Sequence, residues 1–514
     1  MTGGGIGSPQ RRSAYAAALL LVLLFVASRT ALLVTSYDAN QNWEEPVFLF
    51  SATELQRVGL AQIFDYQDDL NHGGSVVLIL LAVPWVQMTG TSLVALKGLA
   101  IVWSTLTLCA FMAVGWRYWS ARAALLTGVF FVALSPIAAR INVTLVGSHP
   151  EALLPCAVAW GVYWEWLTRR DTQHEDGVAL AVLLGWTSGV ALWMAYMSAM
   201  FVAPGLVIRL CTSRRWQSVA ALSAGLLLGL APWAYQDLWL RPHGALLWTE
   251  HLLAGHRNEP AGQGWVGTLS QLAASFGYPG DWGVLLLAAC AIAWAALALS
   301  MRGTRMLVLA PLVCTPLLGL VMLANSYHPL ADVEGYYHYR FFIPLQAALL
   351  CGLAVAIDGL ATRCGGVVAL AAALIALGAG GAAQAPLYGR GNHYEANFPQ
   401  DRGRGCHVYG AAEWERSPSA AVGIRRLAAI GDQGCRVRAF GGLGWGLGGQ
   451  FLRDGDVGLA IATLDEVPDR ALRWSMCSGF LFVVPRAPEA QVSAAQRTAA
   501  TREVYTYCQG FRPS

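Results

Sequence analysis

Long apolar stretches recur along this chain of 514 residues and constrain its fold more than any other feature. A stretch of about 18 or more apolar residues can cross roughly 30 Å of hydrocarbon as a single helix. Charged residues make up only 13% of the chain, whereas soluble domains average about 25%. The mean hydropathy of the chain is +0.47. These features predict an α-helical polytopic membrane protein.

About eleven segments are predicted to span the membrane: 14–34, 92–115, 121–141, 151–168, 178–195, 198–211, 217–236, 282–300, 306–323, 339–357 and 366–384. The stretch 75–89 is also apolar, but it is short and contains Pro84, so we expect a juxtamembrane or re-entrant helix on the outer side. With this count, every arginine cluster falls on the side of the N-terminus, as the excess of basic residues in cytoplasmic loops requires. These clusters are Arg11/Arg12, Arg117/Arg122, Arg169/Arg170, Arg209/Arg214/Arg215, Arg302/Arg305 and Arg363.

The predicted organisation has three parts. Residues 1–13 form a cytoplasmic tail, residues 14–384 a transmembrane domain with a large outer loop at 35–91, and residues 385–514 an extracytoplasmic C-terminal domain. Lys97 is the only lysine, and this preference for arginine, together with abundant Ala, Gly and Leu, indicates a GC-rich bacterial genome and therefore the bacterial inner (plasma) membrane. The net charge of +3 is too small to indicate a nucleic-acid partner.

The C-terminal domain contains Cys406, Cys435, Cys477 and Cys508. An even number of cysteines in an oxidising compartment predicts two disulfides, with three pairings open. Alternating residues in "CRVRAFGG" and "SGFLFVVP" predict short strands, and "SAAVGIRRLAAIG" predicts a helix. We therefore expect a small α/β domain in which "GGLGWGLGG" forms a tight glycine-rich turn.

Polar side chains are concentrated in the loops predicted to lie outside. The first of these loops begins with "YDANQNWEEPV", in which Asp38, Glu44 and Glu45 have no basic neighbour. Ionisable groups close to hydrocarbon are costly and often functional. Four outer loops carry such groups, and the sequence therefore predicts a polar site at the outer membrane surface. Their members outside the first acidic stretch include His72, His149, Glu151, Tyr336, His338 and Arg340.

Several motifs in residues 10–355 resemble the GT-C superfamily of membrane glycosyltransferases. The resemblance is strongest to the branch of the protein O-mannosyltransferases and the lipid A aminoarabinose transferase. The matching segments are "NWEEPVFLFSATELQRVG", "NHGGSVVLILLAVPWVQMTGTSLVALKGLAIVWST", "GWRYWSARAALLTGVFFVALSP", "VGSHPEALL" and "HYRFFIPLQAALL". The chain departs from the pattern at Gly73-Gly74, where the family has two prolines, and at Glu44-Glu45, where Asp-Glu is usual. His149 replaces the second outer acid, with Glu151 two residues later.

The resemblance implies a hexosyltransferase that moves a sugar from a polyprenyl-phosphate donor to an acceptor hydroxyl on the outer face. Glu44 matches the family's first acid and is the expected general base, with Glu45 and Asp38 as alternates. Arg340 is the expected ligand of the donor phosphate, because a guanidinium offers phosphate a fork of donors. The other expected substrate-binding residues are His72, His149, Glu151, Tyr336 and His338.

The sequence leaves alternatives open for a metal, for the acceptor and for the function. A metal is not expected, although Glu44, His72, His149 and Glu151 are suitable ligand types. The acceptor could be a lipid, a cell-envelope polysaccharide or a protein hydroxyl. The alternative functions are a secondary transporter, which would place charges near the membrane midplane, and a non-catalytic GT-C-like scaffold for cell-envelope assembly.

Overall fold

The computed structural model describes residues 9–36, 45, 48–49, 52, 55–56, 59–60, 73–90, 92–133, 135–147, 149–173, 177–213, 215–235, 264–278, 281–301, 305–326, 336–388, 406–407, 410–411, 413–414, 417, 419–431, 433–486 and 492–512. Over these residues the protein is almost entirely helical. The predicted class, an α-helical polytopic membrane protein, is confirmed.

Fourteen helices are described before residue 388, and every segment predicted to span the membrane is helical over most of its length. They are α1 Pro9–Ser36, α2 Gly73–Thr89, α3 Leu93–Tyr118, α4 Ala121–Ala133, α5 Pro136–Ile141, α6 Leu153–Gln173, α7 Val178–Met194, α8 Ala199–Thr212, α9 Trp216–Tyr235, α10 Gly264–Ser275, α11 Trp282–Leu299, α12 Arg305–Ser326, α13 Ile343–Cys364 and α14 Val367–Gln384. Seven of the described helices, namely α1, α3, α9, α11, α12, α13 and α14, are long and apolar enough to cross a membrane.

The single helix predicted over 121–141 is wrong, because the chain breaks between α4 and α5. Pro136 lacks a backbone N–H and disfavours helical conformation in the residue before it. Ser135 begins the new helix as its N-cap, and its Oγ accepts a hydrogen bond from the Ala138 N–H at 3.0 Å. The same rule explains why the helix predicted over 339–357 begins later, since a 3-10 turn over Tyr336–Phe341 precedes α13 and Pro344 lies in the first turn of α13.

Two buried side chains satisfy the carbonyl groups freed by this break. Arg29 of α1 donates to the Val132 carbonyl at 3.0 Å and to Gln384 Oε1 at 3.2 Å. Gln384 donates through Nε2 to the carbonyls of Val132 at 3.0 Å and Ala133 at 2.8 Å. An unsatisfied carbonyl in a membrane core is costly, so these contacts allow an interrupted helix at this position. They also join α1, α4 and α14.

Charged contacts lie at two opposite ends of the helical bundle. Lys97 stands in the second turn of α3 and Arg117 in its last turn, and the helical rise of 1.5 Å per residue separates them by about 30 Å. At the end of α3 that carries Arg117, Glu165 accepts hydrogen bonds from Arg117 at 3.3 Å, Tyr118 at 2.9 Å and Arg169 at 2.8 Å. We call this the arginine end, and the end that carries Lys97 the loop end.

Further arginines from the predicted cytoplasmic clusters lie at the arginine end. Arg209 and Arg170 both contact the ring of the buried Trp166, at 4.4 Å and 5.6 Å from its centroid. Arg122 pairs with Asp358 at 3.4 Å. Five helices, α3, α4, α6, α8 and α13, thus bring basic or acidic groups to one end of the bundle.

The C-terminal part is helical where the structure describes it, so the predicted strands are wrong. It contains α15 Ala420–Ala428, α16 Gln433–Asp454, α17 Val457–Asp465, α18 Arg470–Val483 and α19 Ala494–Gln509. The predicted helix near 419–431 is present as α15, but "CRVRAFGG" lies in α16 and "SGFLFVVP" in α18 and the turn after it. The buried core of this part draws only on residues 406–508.

The glycine-rich stretch lies inside α16 and not in a turn. A Cβ at Gly444 would stand 1.8 Å from the Met476 carbonyl oxygen, and a Cβ at Gly479 would stand 1.9 Å from that of Gly441. The glycines therefore allow α16 and α18 to pack backbone against backbone. Two disulfides are present as predicted, pairing Cys406 with Cys435 and Cys477 with Cys508.

Candidate active site at the loop end

Some of the predicted site residues lie outside the described part of the chain. These are Asp38, Glu44 and His72. Tyr336 and His338 belong to the described 3-10 turn, but their side chains lie outside the description. Glu45, His149, Glu151 and Arg340 are described, and all four lie at the loop end.

Glu45 forms a buried ion pair with Lys97. Lys97 Nζ donates to Glu45 Oε1 at 2.8 Å and to Oε2 at 2.6 Å, and neither side chain has any solvent exposure. Lys97 also donates to the carbonyl of Val143 at 3.4 Å, and Glu45 Oε1 accepts the backbone N–H of Leu145 at 3.1 Å. Two opposite charges that are fully buried need such additional hydrogen bonds to offset the loss of solvation.

Glu151 binds the same loop from its other side. Its Oε1 accepts the backbone N–H of Val146 at 2.8 Å, and its own carbonyl accepts the indole N–H of Trp103 at 2.9 Å. Glu45 and Glu151 thus accept hydrogen bonds from two consecutive amides. The loop between α5 and α6, residues 142–152, is therefore fixed by one carboxylate from the first outer loop and one from its own end.

His149 lies in this fixed loop and joins it to the chain around Arg340. The His149 ring contacts Tyr196 in an edge-on arrangement at 5.0 Å and Phe341 at 4.7 Å between centroids. The Arg340 guanidinium lies 5.0 Å from the centroid of the Phe341 ring. Burial raises the pKa of the Tyr196 hydroxyl, and the positive charge of Arg340 opposes this shift. The structure therefore brings His149 and Arg340, which are 191 positions apart in the sequence, into one group with two aromatic rings. We call these four residues the Arg340 group.

Gly73 and Gly74 stand where a side chain has no room. A Cβ at Gly73 would lie 2.1 Å from the Trp193 ring, and a Cβ at Gly74 would lie 2.5 Å from the carbonyl oxygen of Gly147. Gly147 itself has a φ of 74°, and its own Cβ would meet the Phe48 ring at 2.5 Å. The departure from the double proline of the family thus has a steric reason, because the start of α2 packs directly on the loop.

A small cavity of about 50 Å³ lies inside the bundle next to this loop. Its polar lining includes Ser104, Asn142, Glu151 and Gln346, and its apolar lining includes Phe130 and other side chains of α1, α4 and α13. This volume accommodates a few water molecules.

Metal binding finds no support in the described residues. Among them, no three His, Cys, Asp or Glu side chains gather closely enough to hold a metal ion. Of the four candidate ligands, Glu44 and His72 lie outside the described residues, whereas His149 and Glu151 are described at this loop. The expectation that no metal takes part remains a prediction.

Sequence reasoning missed Lys97, Tyr196 and Phe341 as parts of the site. Tyr196 and Phe341 carry no distinguishing signal, since aromatic residues are common at membrane interfaces. Lys97 does carry one. It is the only lysine of the chain and lies within an apolar segment, where a buried charge requires a partner of opposite sign.

The chain is similar in fold to solved structures of other proteins. No protein-family model and no curated protein sequence matches the chain. ArnT from Cupriavidus metallidurans, solved in the apo state, is similar at 13% identity and a TM-score of 0.48, over 96% of this chain and 78% of that one. The archaeal oligosaccharyltransferase AglB from Archaeoglobus fulgidus, solved with an inhibitory peptide and a dolichol-phosphate, is similar at 12% identity and a TM-score of 0.43, over 82% of this chain and 59% of that one.

Proposed function

We propose that this protein is a membrane glycosyltransferase that moves a sugar from a polyprenyl-phosphate donor to an acceptor hydroxyl at the outer face of the bacterial inner membrane. In this scheme the N-terminus and the arginine end lie in the cytoplasm, in accord with the excess of basic residues there. The loop end and the C-terminal domain, residues 385–514, then face the periplasm. Two disulfides in that domain support an oxidising compartment.

The observation that carries the proposal is the position of Arg340 beside a loop held by two carboxylates. Arg340 lies at the loop end, and Lys97 and Arg117 at the two ends of α3 are about one hydrocarbon thickness apart. A phosphate bound there would lie at the membrane interface, where the head group of a membrane-borne donor lies. Guanidinium groups match phosphate oxygens with two parallel donors.

The proposed roles of the other residues follow from this placement. Glu44 is the proposed general base, and it directly precedes the anchored Glu45 in the sequence. Asp38 remains an alternate base. His72, His149, Tyr336 and His338 are proposed to supply further hydrogen-bond donors to the donor sugar phosphate, and Glu151 to hold the loop that carries His149.

The proposed reaction is a displacement at the anomeric carbon of the sugar. The acceptor oxygen bonds to that carbon, and the bond from the carbon to the phosphate oxygen breaks, with its electron pair leaving on the polyprenyl phosphate. The acceptor proton passes to the Glu44 carboxylate. Arg340 stabilises the charge of the leaving phosphate, which is a form of electrostatic catalysis. No cofactor takes part, and the acceptor is a lipid, a polysaccharide or a protein hydroxyl.

The test is transfer of radiolabelled sugar by the purified protein in detergent, from a panel of polyprenyl-phosphate sugars to a cell-envelope extract. We expect transfer by the wild type, and losses of about 100-fold or more for Glu44→Gln and Arg340→Ala. Arg363→Ala is the matched control, because Arg363 is an exposed arginine on the last turn of the helix that follows Arg340. Full transfer by Glu44→Gln would remove that residue from the role of base.

Two other outcomes would favour the alternative functions. A secondary transporter would move a solute into sealed vesicles without altering it chemically, and a scaffold would show neither transport nor transfer. Both alternatives fail if the purified protein forms a glycosidic bond and releases polyprenyl phosphate.

A further inference from the structure

We propose that Lys97 is a positioning residue that fixes the spacing between the Glu44 base and the Arg340 group. This inference rests on the proposed function. It assigns Glu45 to the same positioning unit and not to proton transfer, and it names a role for the only lysine of the chain.

The unit is built from three separate parts of the chain. Lys97 comes from α3, Glu45 from the first outer loop, and Val143 and Leu145 from the loop between α5 and α6. The ammonium group contacts both carboxylate oxygens and the Val143 carbonyl, while the carboxylate also accepts the Leu145 N–H. The Lys97 ammonium and the Glu45 carboxylate therefore hold Glu45 of the first outer loop and the loop between α5 and α6 against α3.

The positions of Glu44 and His149 both depend on this unit. Glu44 is bonded directly to Glu45, so a displacement of the Glu45 carboxylate moves the backbone of the base. His149 follows Leu145 by four residues, and it contacts Phe341 next to Arg340. The ion pair thus links the residue next to the proposed base with the loop whose His149 contacts the Arg340 group. A misplacement of about 1 Å can reduce the rate of a chemical step by about 100-fold.

Glu45 is poorly suited to act as the base itself. Its side chain has no solvent exposure, and both of its oxygens already accept hydrogen bonds from a buried ammonium group. The adjacent positive charge stabilises the ionised carboxylate and opposes its protonation. A general base must instead accept a proton during the reaction.

The experiment compares Lys97→Met, Lys97→Arg and the double variant Lys97→Met/Glu45→Met, all in the full-length protein. The readouts are kcat and the KM for the polyprenyl-phosphate sugar, the thermal midpoint, and hydrogen exchange of the peptide that contains residues 143–147. Arg117→Met is the matched control, because it removes a basic side chain from the other end of the same helix.

For Lys97→Met we expect kcat to fall about 100-fold, with the KM changed less than about threefold, because Arg340 is untouched. Lys97→Arg should recover at least a tenth of the wild-type kcat, since it can still pair with Glu45. The double variant leaves no buried charge unpaired, so its thermal midpoint should return toward that of the wild type. Its kcat should stay low, and the amide of Leu145 should exchange faster than in the wild type.

A purely structural role predicts that kcat recovers together with the thermal midpoint in the double variant, and this result would overturn the inference while leaving the proposed function intact. Wild-type protein that transfers no sugar from any donor would instead overturn the proposed function, and with it the catalytic part of the inference. Unchanged exchange at residues 143–147 in Lys97→Met would show that the ion pair does not hold the loop.

Discussion

Glu45 and Glu151 lie on either side of one loop and accept the hydrogen bonds of its two consecutive amides, those of Leu145 and Val146. The two carboxylates are 106 positions apart in the sequence. Buried carboxylates that accept backbone hydrogen bonds are strongly ordered by them. The loop therefore has a defined backbone at the loop end of the bundle, which is a requirement for any site that must hold a reacting group in place.

The close approach of α2 to this loop makes Gly74 sensitive to substitution. We expect Gly74→Ala to destabilise the protein by about 1–3 kcal/mol, because its methyl group would stand 2.5 Å from the Gly147 carbonyl oxygen. Gly378→Ala is the control, since nothing lies within 4 Å of a Cβ at that position of α14. The control should be neutral or stabilising by up to about 1 kcal/mol. Thermal unfolding in detergent measures both, and equal midpoints for the two variants would contradict the packing described.

The polar contacts at the helix break give a second stability prediction. Arg29→Met should destabilise the protein by about 1–3 kcal/mol, because it withdraws a hydrogen bond from the buried Val132 carbonyl and from Gln384. Gln384→Leu removes the other hydrogen bond to the Val132 carbonyl. The losses of stability from the two substitutions should therefore be non-additive. Arg12→Met is the control, as Arg12 is an exposed arginine of the same helix. Strictly additive losses, measured by thermal unfolding, would argue against a shared network.

His407 gives the C-terminal domain a specific pH dependence. Burial lowers the pKa of His407 to about 4, against an ordinary value of about 6.5. The folded domain therefore holds this histidine neutral, while the unfolded chain binds a proton below about pH 6.5. The contribution of His407 to stability is constant above that pH and is lost as the pH falls toward 4. We expect a difference of up to about 3 kcal/mol between pH 7 and pH 4.

Thermal unfolding of the wild type and of His407→Gln is compared between pH 7 and pH 4. Hydrogen exchange of the backbone amides in α16 is measured in the same pH range. The variant should lose the part of the pH dependence between 6.5 and 4, while the titration of carboxylates affects both proteins alike. Parallel curves for the two proteins would show that His407 is not held neutral by the fold.

The sequence predicted the membrane helices well, because apolar length is a local property. It failed where tertiary packing decides the outcome. Pro136 marks a possible break locally, but the Arg29 and Gln384 side chains that satisfy the freed carbonyls are distant from it in sequence. The glycines of α16 suggested a turn, yet they are explained by contact with α18.

The candidate site also has features that could be predicted from the sequence and features that could not. The acidic loop, His149, Glu151 and Arg340 could be selected from residue type and predicted topology, because charged groups near hydrocarbon are unusual. The pairing of Glu45 with Lys97 could not be predicted, since no local pattern links residues 52 positions apart. Nor could the contact of His149 with Phe341, which depends on how α5 and the loop after it pack against the 3-10 turn before α13.

The position of the donor phosphate is tested most directly by photo-crosslinking of the wild-type protein with a polyprenyl phosphate that carries a diazirine next to the phosphate. The account predicts labelled peptides that contain residues 143–151 and 336–342, and a loss of labelling with excess unmodified polyprenyl phosphate or in Arg340→Ala. Labelling confined to the arginine end, around residues 117–122 and 165–170, would contradict the account.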